Sequence, residues 1–580
     1  MRAAARRTDP VRHRRSRRRI GRDEGYVLAL TALMMLPILA FTGFAVDLGS
    51  WYARASQIQR AADAASLAGV QELPNLANAT SAANAVAQRN GFTNGVNGVT
   101  ITIAQVPDPT AKLKVTIADA NANQYFTKVF RPSVSIERTG TAQYIKPVSM
   151  GSPKNFLGTG NRYIQDPPGY DTNTSCTGGQ CFRENFWLAV SGGCASKENG
   201  DRIQAQTDAN YGYSRPSFRC TGASTITNPE YDSNGYFYAV EFKQNVTGSV
   251  NVQIYDAPLC NGSIPGDSVG SGETAFNTTY TMRDNSSFDP LQTGTLTSVT
   301  LGSGNCTANG SWQNTWKTLY TINNPTKGVY FVQVQSQTGS GSTKHGSNAF
   351  ALRAGAASWV PCSSDTNETS SGAIAYSASC PQVYGYANLG VYANLAGTQA
   401  QFYLAQIGPD YNNKKMELSL WDPGEGSVAL QILDPNDQPV DFDWEVRCYD
   451  GNPSPCNDGT VAPTDTGQGS WTGTSATITL RAGPLVGTTI PKAIDIWGNN
   501  YTGATNPSAN NPQPGPNRTS SSKYSDRLLK FTIQLPADIT AAFGGKQWYK
   551  IKYYIGSSST DRTTWGVTVK GAPIRLIPNP

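Results

Sequence analysis

Between Gly25 and Asp47 the chain runs for 21 residues, Tyr26 to Val46, without a charged side chain. As a helix that run is roughly 30 Å long, the hydrocarbon thickness of a bilayer. The apolar pattern then continues past the last uncharged residue. Phe41, Phe44, Leu48, Trp51, Ala55, Ile58, Ala62, Ala65 and Gly69 follow at alternating steps of three and four, which predicts one helix from Tyr26 to Glu72, on the order of 70 Å long. Pro37 lies inside the span and is tolerated there as a kink. The outer half of the stripe narrows to Ala and Gly, so that another backbone can come close, either that of the membrane-proximal domain or that of another subunit.

Beyond the helix the period changes. Thr80 to Asn90 reads as a short Ala-rich helix ended by Gly91, while Val99 to Val106 and Leu113 to Ile117 alternate as strands. Asn121 to Val129 reads as a helical turn with Tyr125, Phe126 and Val129 inward, and Val134 to Tyr144 as a last strand. Helix followed by β-β-α-β is pilin-like in outline. Over the remaining roughly 430 residues, from about residue 150 onward, short alternating runs separated by Gly, Ser, Thr and Asn clusters predict all-β structure.

The β region repeats itself. Gly248-Ser-Val-Asn-Val-Gln-Ile-Tyr-Asp256 recurs as Gly426-Ser-Val-Ala-Leu-Gln-Ile-Leu-Asp434, six identities in nine. The same offset sets Tyr238, Val240 and Phe242 against Met416, Leu418 and Leu420. GVYFVQVQ with AFALRAG, and QWYKIKYY with WGVTVKG, suggest a similar closing hairpin in each copy. The predicted fold is mainly β: a transmembrane helix continuing into a small α+β domain, then two β-sandwich domains that look like a duplication. The boundaries expected are a basic tail at 1–25, a span at 26–46, a membrane-proximal domain at 47–150, and sandwiches at 180–358 and 383–575, with 502–525 an exposed loop.

Charge sets the expected topology. The tail carries ten arginines against three acids, whereas the whole chain nets +6, so the remainder is nearly neutral. By the positive-inside rule the tail is cytoplasmic and the bulk extracytoplasmic. A basic tail against an apolar span reads as a topology signal in contact with anionic lipid, and no nucleic-acid partner is expected. A cleaved signal peptide shares these features, with Gly43-Phe44-Ala45 as a small-x-small site. The length of the run and its unbroken continuation favour a single-pass anchor.

The cysteines agree with that side. Cys176, Cys181, Cys194, Cys220, Cys260, Cys306, Cys362, Cys380, Cys448 and Cys456 all follow the span, and an even number there reads as disulfides in an oxidising compartment. Connectivity is open, with Cys362–Cys380 and Cys448–Cys456 as local guesses. A zinc site is disfavoured, since there is no Cys-x-x-Cys pair and the one histidine beyond the tail is His345.

The segment Gly25 to Val70 resembles the N-terminal region of TadE/TadG-like Flp (Tad) pilus assembly proteins, the TadG type in particular. The residues that carry the likeness are Gly25, Pro37, Val46, Asp47, Leu48, Gly49, Tyr52, the run Gln59-Arg60-Ala61-Ala62-Asp63-Ala64-Ala65, and Leu67-Ala68-Gly69. The likeness extends more weakly to about residue 147. It implies a bacterial cell-membrane protein with a role in pilus assembly or envelope adhesion, and pilus or pilus-assembly proteins as partners. Two departures bound it. Leu30 stands five residues after Gly25, where prepilin-type members have Glu, and Asp284-Asn285-Ser286-Ser287-Phe288 is the nearest approach to the Asp-x-Ser-x-Ser metal motif of von Willebrand type A domains. Metal-dependent adhesion chemistry is therefore not implied.

Catalysis finds little footing, and the chain is read as no enzyme and without a cofactor. Gly266-Asp-Ser-Val-Gly270 fits G-x-S-x-G, but a Thr-rich strand follows it, not a helix. His345 falls in a predicted hairpin turn. Asp434, Asp437, Asp441 and Asp443 crowd one segment, as calcium loops do, although Asp at turns is ordinary Asx chemistry. Trp312, Trp316 and Tyr320 would share a strand face, either as core or as a platform for sugar rings. The alternative function is thus a membrane-anchored protein that binds polysaccharide or a surface, unrelated to pilus assembly.

Overall fold

In the computed structural model the apolar run and its stripe form one α-helix, α1 (Glu24–Gly69), extended by a 3-10 turn over Val70–Glu72. The description covers residues 24–577 apart from 107–110, 132, 159–184, 192–205, 209–224, 228–231, 257–273, 276, 303–311, 313–314, 337–343, 346, 368–374, 396–398, 422–426, 441, 449–464, 470–479, 482–492, 495–499, 502–526, 556–558 and 572–573. This one helix is long and apolar enough, by length and composition, to cross a membrane. Within it the Thr31 and Thr42 hydroxyls donate to the carbonyls of Val27 and Ile38, which satisfies them inside the helix.

The described chain divides into two compact units. The first holds α1, α2 (Leu76–Arg89) and an antiparallel sheet of β1 (Val99–Gln105), β2 (Lys112–Asp119) and β3 (Ile136–Tyr144), on whose far edge the C-terminal strand Ile574–Ile577 adds. Its core is built from small residues. Ile58, Ala61, Ala62 and Ala65 of α1 and Ala79, Ala83 and Ala87 of α2 are fully buried. The Ala and Gly half of the stripe is therefore covered inside its own unit.

The second unit holds two large antiparallel sheets around one hydrophobic core. Its strands are β4 (Asn185–Ser191), β5 (Tyr236–Phe242), β6 (Ser249–Asp256), β7 (Asn277–Arg283), β8 (Thr295–Gly302), β9 (Trp316–Asn323), β10 (Gly328–Ser336), β11 (Ser347–Gly355), β12 (Gln382–Tyr386), β13 (Asn388–Leu395), β14 (Gln399–Gln406), β15 (Lys415–Trp421), β16 (Ser427–Leu433), β17 (Phe442–Cys448), β18 (Asp465–Gly469), β19 (Arg527–Gln534), β20 (Trp548–Ile555) and β21 (Ser559–Val569). One sheet runs β8-β7-β10-β5-β12, then the short strand Ser149–Met150, then β14-β20-β16. The other runs β9-β6-β11-β4-β13-β21-β15-β19-β17-β18, and Phe156–Leu157 pairs with β11.

The repeated sequence has a repeated topology. The order β8-β7-β10-β5-β12 recurs as β18-β17-β19-β15-β21, and β6-β11-β4 recurs as β16-β20-β14. Register recurs too. Tyr238 and Val240 face Val332 and Tyr330, as Met416 and Leu418 face Ile533 and Phe531. The first set lies in one sheet and its copy in the other, so each sheet contains strands of both copies. The two sandwich-like halves share their sheets and their core, because β13 leaves the first sheet after Ala387 (φ 73°) and pairs with both β4 and β21.

The closing hairpins expected from sequence are not hairpins. Gly328–Ser336 and Ser347–Gly355 lie in opposite sheets, as do Trp548–Ile555 and Ser559–Val569. By pairing, the counterpart of β10 is β19, and that of β11 is β20. Alternation alone could not separate neighbouring strands of the same apolar pattern.

Candidate functional site

The family-motif residues do most of their work on one face of α1. Asp47 is fully buried, and its carboxylate accepts the backbone N–H of Tyr125 (2.7 Å), Phe126 (2.9 Å) and Thr127 (2.6 Å) and the Thr127 hydroxyl (2.7 Å). Phe126 and Thr127 are the N-cap and first residue of a 3-10 turn, Thr127–Val129, and Tyr125 precedes them, so Asp47 caps the start of that turn from another element. Burial works against ionisation, but the hydrogen bonds from Thr127, Tyr125 and Phe126 outweigh it and lower the carboxyl from its ordinary 3.8 to about 2. One and two turns further on, Ser50 donates to the Asn123 carbonyl (3.3 Å) and Arg54 pairs with the buried Asp119 (2.7 Å) while its guanidinium covers the Phe92 ring at 4.5 Å.

A second set fastens the helix to the sheet. Gln59 donates to Asp63 (2.8 Å) and to the Thr139 carbonyl of β3 (3.0 Å). Next to it, a Cβ on Gly140 would stand 2.6 Å from the Ala62 carbonyl carbon and 2.7 Å from the Asp63 nitrogen, so β3 lies against helix backbone there. Gly69 is closed in the same way by Leu113 (2.5 Å) and the Ala79 carbonyl (2.8 Å). Ala64 and Leu67 are half-buried, whereas Tyr52 is exposed and a Cβ on Gly49 would point into open space. Gly25, Tyr26, Pro37 and Val46 fall in the N-terminal, apolar half of α1.

Sequence reading gave Arg54 no role and read Asn121 to Val129 as a helical turn, without its attachment to α1. Its signal was present: Gly43, Asp47, Ser50 and Arg54 are spaced four, three and four, a polar counter-stripe. Tyr125, Phe126 and Val129 were expected to face inward; all three are exposed, because Asp47 binds this segment by its backbone and leaves the side chains outside.

The other expected site residues are placed as follows. Trp316 packs with Trp187 and Tyr255 on one face of its sheet, whereas Tyr320 and Trp312 pack against the main core. A one-residue bulge between Val252 and Gln253 in the pairing of β6 with β9 shifts the alternation, so Trp316 and Tyr320 share no platform. Asp434 forms an Asx turn, accepting the N–H of Asn436 (2.8 Å) and Gln438 (2.9 Å), and Asp437 pairs with Lys550. Asp441 lies outside the described residues, and Asp443 is on β17. Asp284 likewise ties its own loop, accepting from Ser286 and from the Gly294 N–H (3.1 Å). His345 lies not in a turn but in a two-residue strand, Lys344–His345, paired parallel to Thr274–Ala275. The G-x-S-x-G stretch at 266–270 lies outside the described residues. In the second unit, Glu241 accepts from Lys146 and the Tyr384 hydroxyl (2.9 Å); burial opposes its charge, but Lys146 prevails and holds the carboxyl below its usual range.

Cys362 and Cys380 form a disulfide, Cα atoms 6.0 Å apart and 18 residues apart in sequence. Cys176, Cys181, Cys194, Cys220, Cys260, Cys306 and Cys456 lie outside the described residues, as does the side chain of Cys448. Replacing both Cys362 and Cys380 with serine is expected to lower stability by about 3 kcal/mol, the loop entropy of a bridge of this span. A shift of the denaturant midpoint, absent when the parent is already reduced, measures it.

Residues 25–72 match the family described as "Putative Flp pilus-assembly TadE/G-like". The matched segment is α1 with its 3-10 extension, so the N-terminal region is TadE/G-like and the rest of the chain lies beyond the match. No match was found among curated proteins. Among solved structures, the crystal structure of tripeptidyl peptidase 2 (TPP II) aligns over 88% of this chain and 40% of its own at 8% identity, with a TM-score of 0.13, a likeness too low to bear on fold or activity.

Proposed function

We propose that the chain is a single-pass, membrane-anchored component of Flp/Tad pilus assembly, structural and not catalytic, with its tail cytoplasmic and its β unit displayed on the far side. The observation that carries this reading is the coincidence of the family match with a helix whose motif residues have defined tasks. The ten-arginine tail before the span supports the orientation, and the Cys362–Cys380 bridge supports an oxidising side for the β unit. Partners on this reading are pilus or pilus-assembly proteins, contacted beyond the membrane.

Deleting the gene in its host is expected to abolish surface pili, with rescue by the full chain and none by a chain ended at Gly151. Pilus counts by electron microscopy read the outcome. Wild-type piliation in the deletion strain would sink the proposal; rescue by the truncated chain would confine the function to residues 1–151.

A further inference from the structure

The segment from Asn121 to Arg131 descends along α1. Asp119 meets Arg54, the Asn123 carbonyl meets Ser50, and the amides of 125–127 meet Asp47. At the lowest point, a Cβ on Gly43 would stand 2.8 Å from the Phe126 ring. Gly43 lies inside the uncharged run, three residues before its end at Val46, so the Phe126 ring sits about 4.5 Å below the last apolar residue of the span. From Tyr26 to Gly49, Gly43 and Asp47 are the two buried positions, and this segment covers both.

The segment turns its apolar groups outward. Tyr125 is 64% exposed, Phe126 55%, Val129 85% and Phe130 90%. Two exposed cations, Lys128 and Arg131, flank them, and the carboxylate at the segment, Asp47, is consumed by its hydrogen bonds. Exposed aromatics beside cations, at the level where a span leaves hydrocarbon, are the composition of an interfacial anchor, which buries its apolar face some 5–10 Å deep.

We propose that Tyr125–Arg131 is a membrane wedge: Phe126, Val129 and Phe130 enter the phospholipid interface beside α1, and Lys128 and Arg131 reach anionic headgroups. The inference rests on the reading that α1 spans the bilayer. Asp47 holds the wedge to the helix by backbone bonds, so the inserted side chains stay free to meet lipid. The result is a second contact with the same leaflet, which fixes how far the helix protrudes and about which axis it is turned.

The test uses the full chain in phosphatidylcholine vesicles with and without about 30% phosphatidylglycerol. A fluorescent amino acid is placed at position 130, or at 38 within the span, or at 76 at the start of α2, and quenched by lipids carrying nitroxides at shallow or deep positions. Shallow quenching at 130, at least about twofold above that at 76, with deep quenching at 38, supports the wedge. Adding Lys128→Gln and Arg131→Gln is expected to remove the extra quenching that the anionic lipid brings. Deep quenching at 38 with none at 130 overturns the wedge, leaves the span intact and assigns the exposed face to a protein partner. No deep quenching at 38 overturns the span, and the wedge with it.

Discussion

Gly140→Val is expected to unfold or detach the N-terminal unit from its own helix, at a cost of about 3 kcal/mol or more. The Cβ position is occupied by backbone of Ala62 and Asp63 at 2.6–2.7 Å, which no rotamer change can clear. The strand would have to lift from α1, and Gln59 would lose the Thr139 carbonyl with it. Hydrogen exchange of the full chain in detergent would show loss of protection across β2 and β3, with the strands of the second unit unchanged. A variant that retains parental protection would mean that β3 does not pack at Ala62.

Asp47→Ala is expected to be the other severe change. It removes the acceptor for three amides and one hydroxyl at once, and a buried donor without a partner is costly. Amide exchange at 125–127 should speed up by about tenfold or more, the signature of local opening. Asp47→Asn keeps one oxygen and should fall between. The sign with pH follows from the depressed carboxyl: the folded state prefers the anion, so the contribution is complete above about 4 and is lost as pH falls toward about 2. Protection of the 125–127 amides, taken relative to their intrinsic exchange rates at each pH, should fall down that range in the parent and stay flat in Asp47→Ala. A flat parent would refute the cap.

How much of this was readable in the chain varies with distance along it. The long helix was legible because its stripe is local and unbroken, and α2, β1, β2 and β3 lie within a few residues of their expected places. Asp47 was singled out by motif, but its task was hidden, since its partners stand 78–80 residues away and are backbone amides, which carry no sequence signature. The duplication was legible from Gly248–Asp256 and Gly426–Asp434, yet the way its copies interleave was not. Which strand takes which neighbour depends on pairings such as β5 with β10, and β-strands of similar alternation are interchangeable until a register is chosen. The bulge opposite Val252 is a single unpaired residue, enough to send Trp316 and Tyr320 to different faces.

The shared sheets bear on the order in which the chain can be made. By residue 395 the five-strand set of the first copy has been synthesised, and β4, one of the two neighbours of β13, is already in the chain. The other side of β13 waits for β21, which begins at Ser559. At ordinary synthesis rates of 5–20 residues per second that interval is roughly ten to thirty seconds. For that time a row of unsatisfied amides and carbonyls from Asn388 to Leu395 is open to pairing with any extended chain nearby. A nascent chain halted between Leu395 and Ser559 therefore leaves that edge as a template for association, and β21 acts as the seal on a joint whose first side was made much earlier.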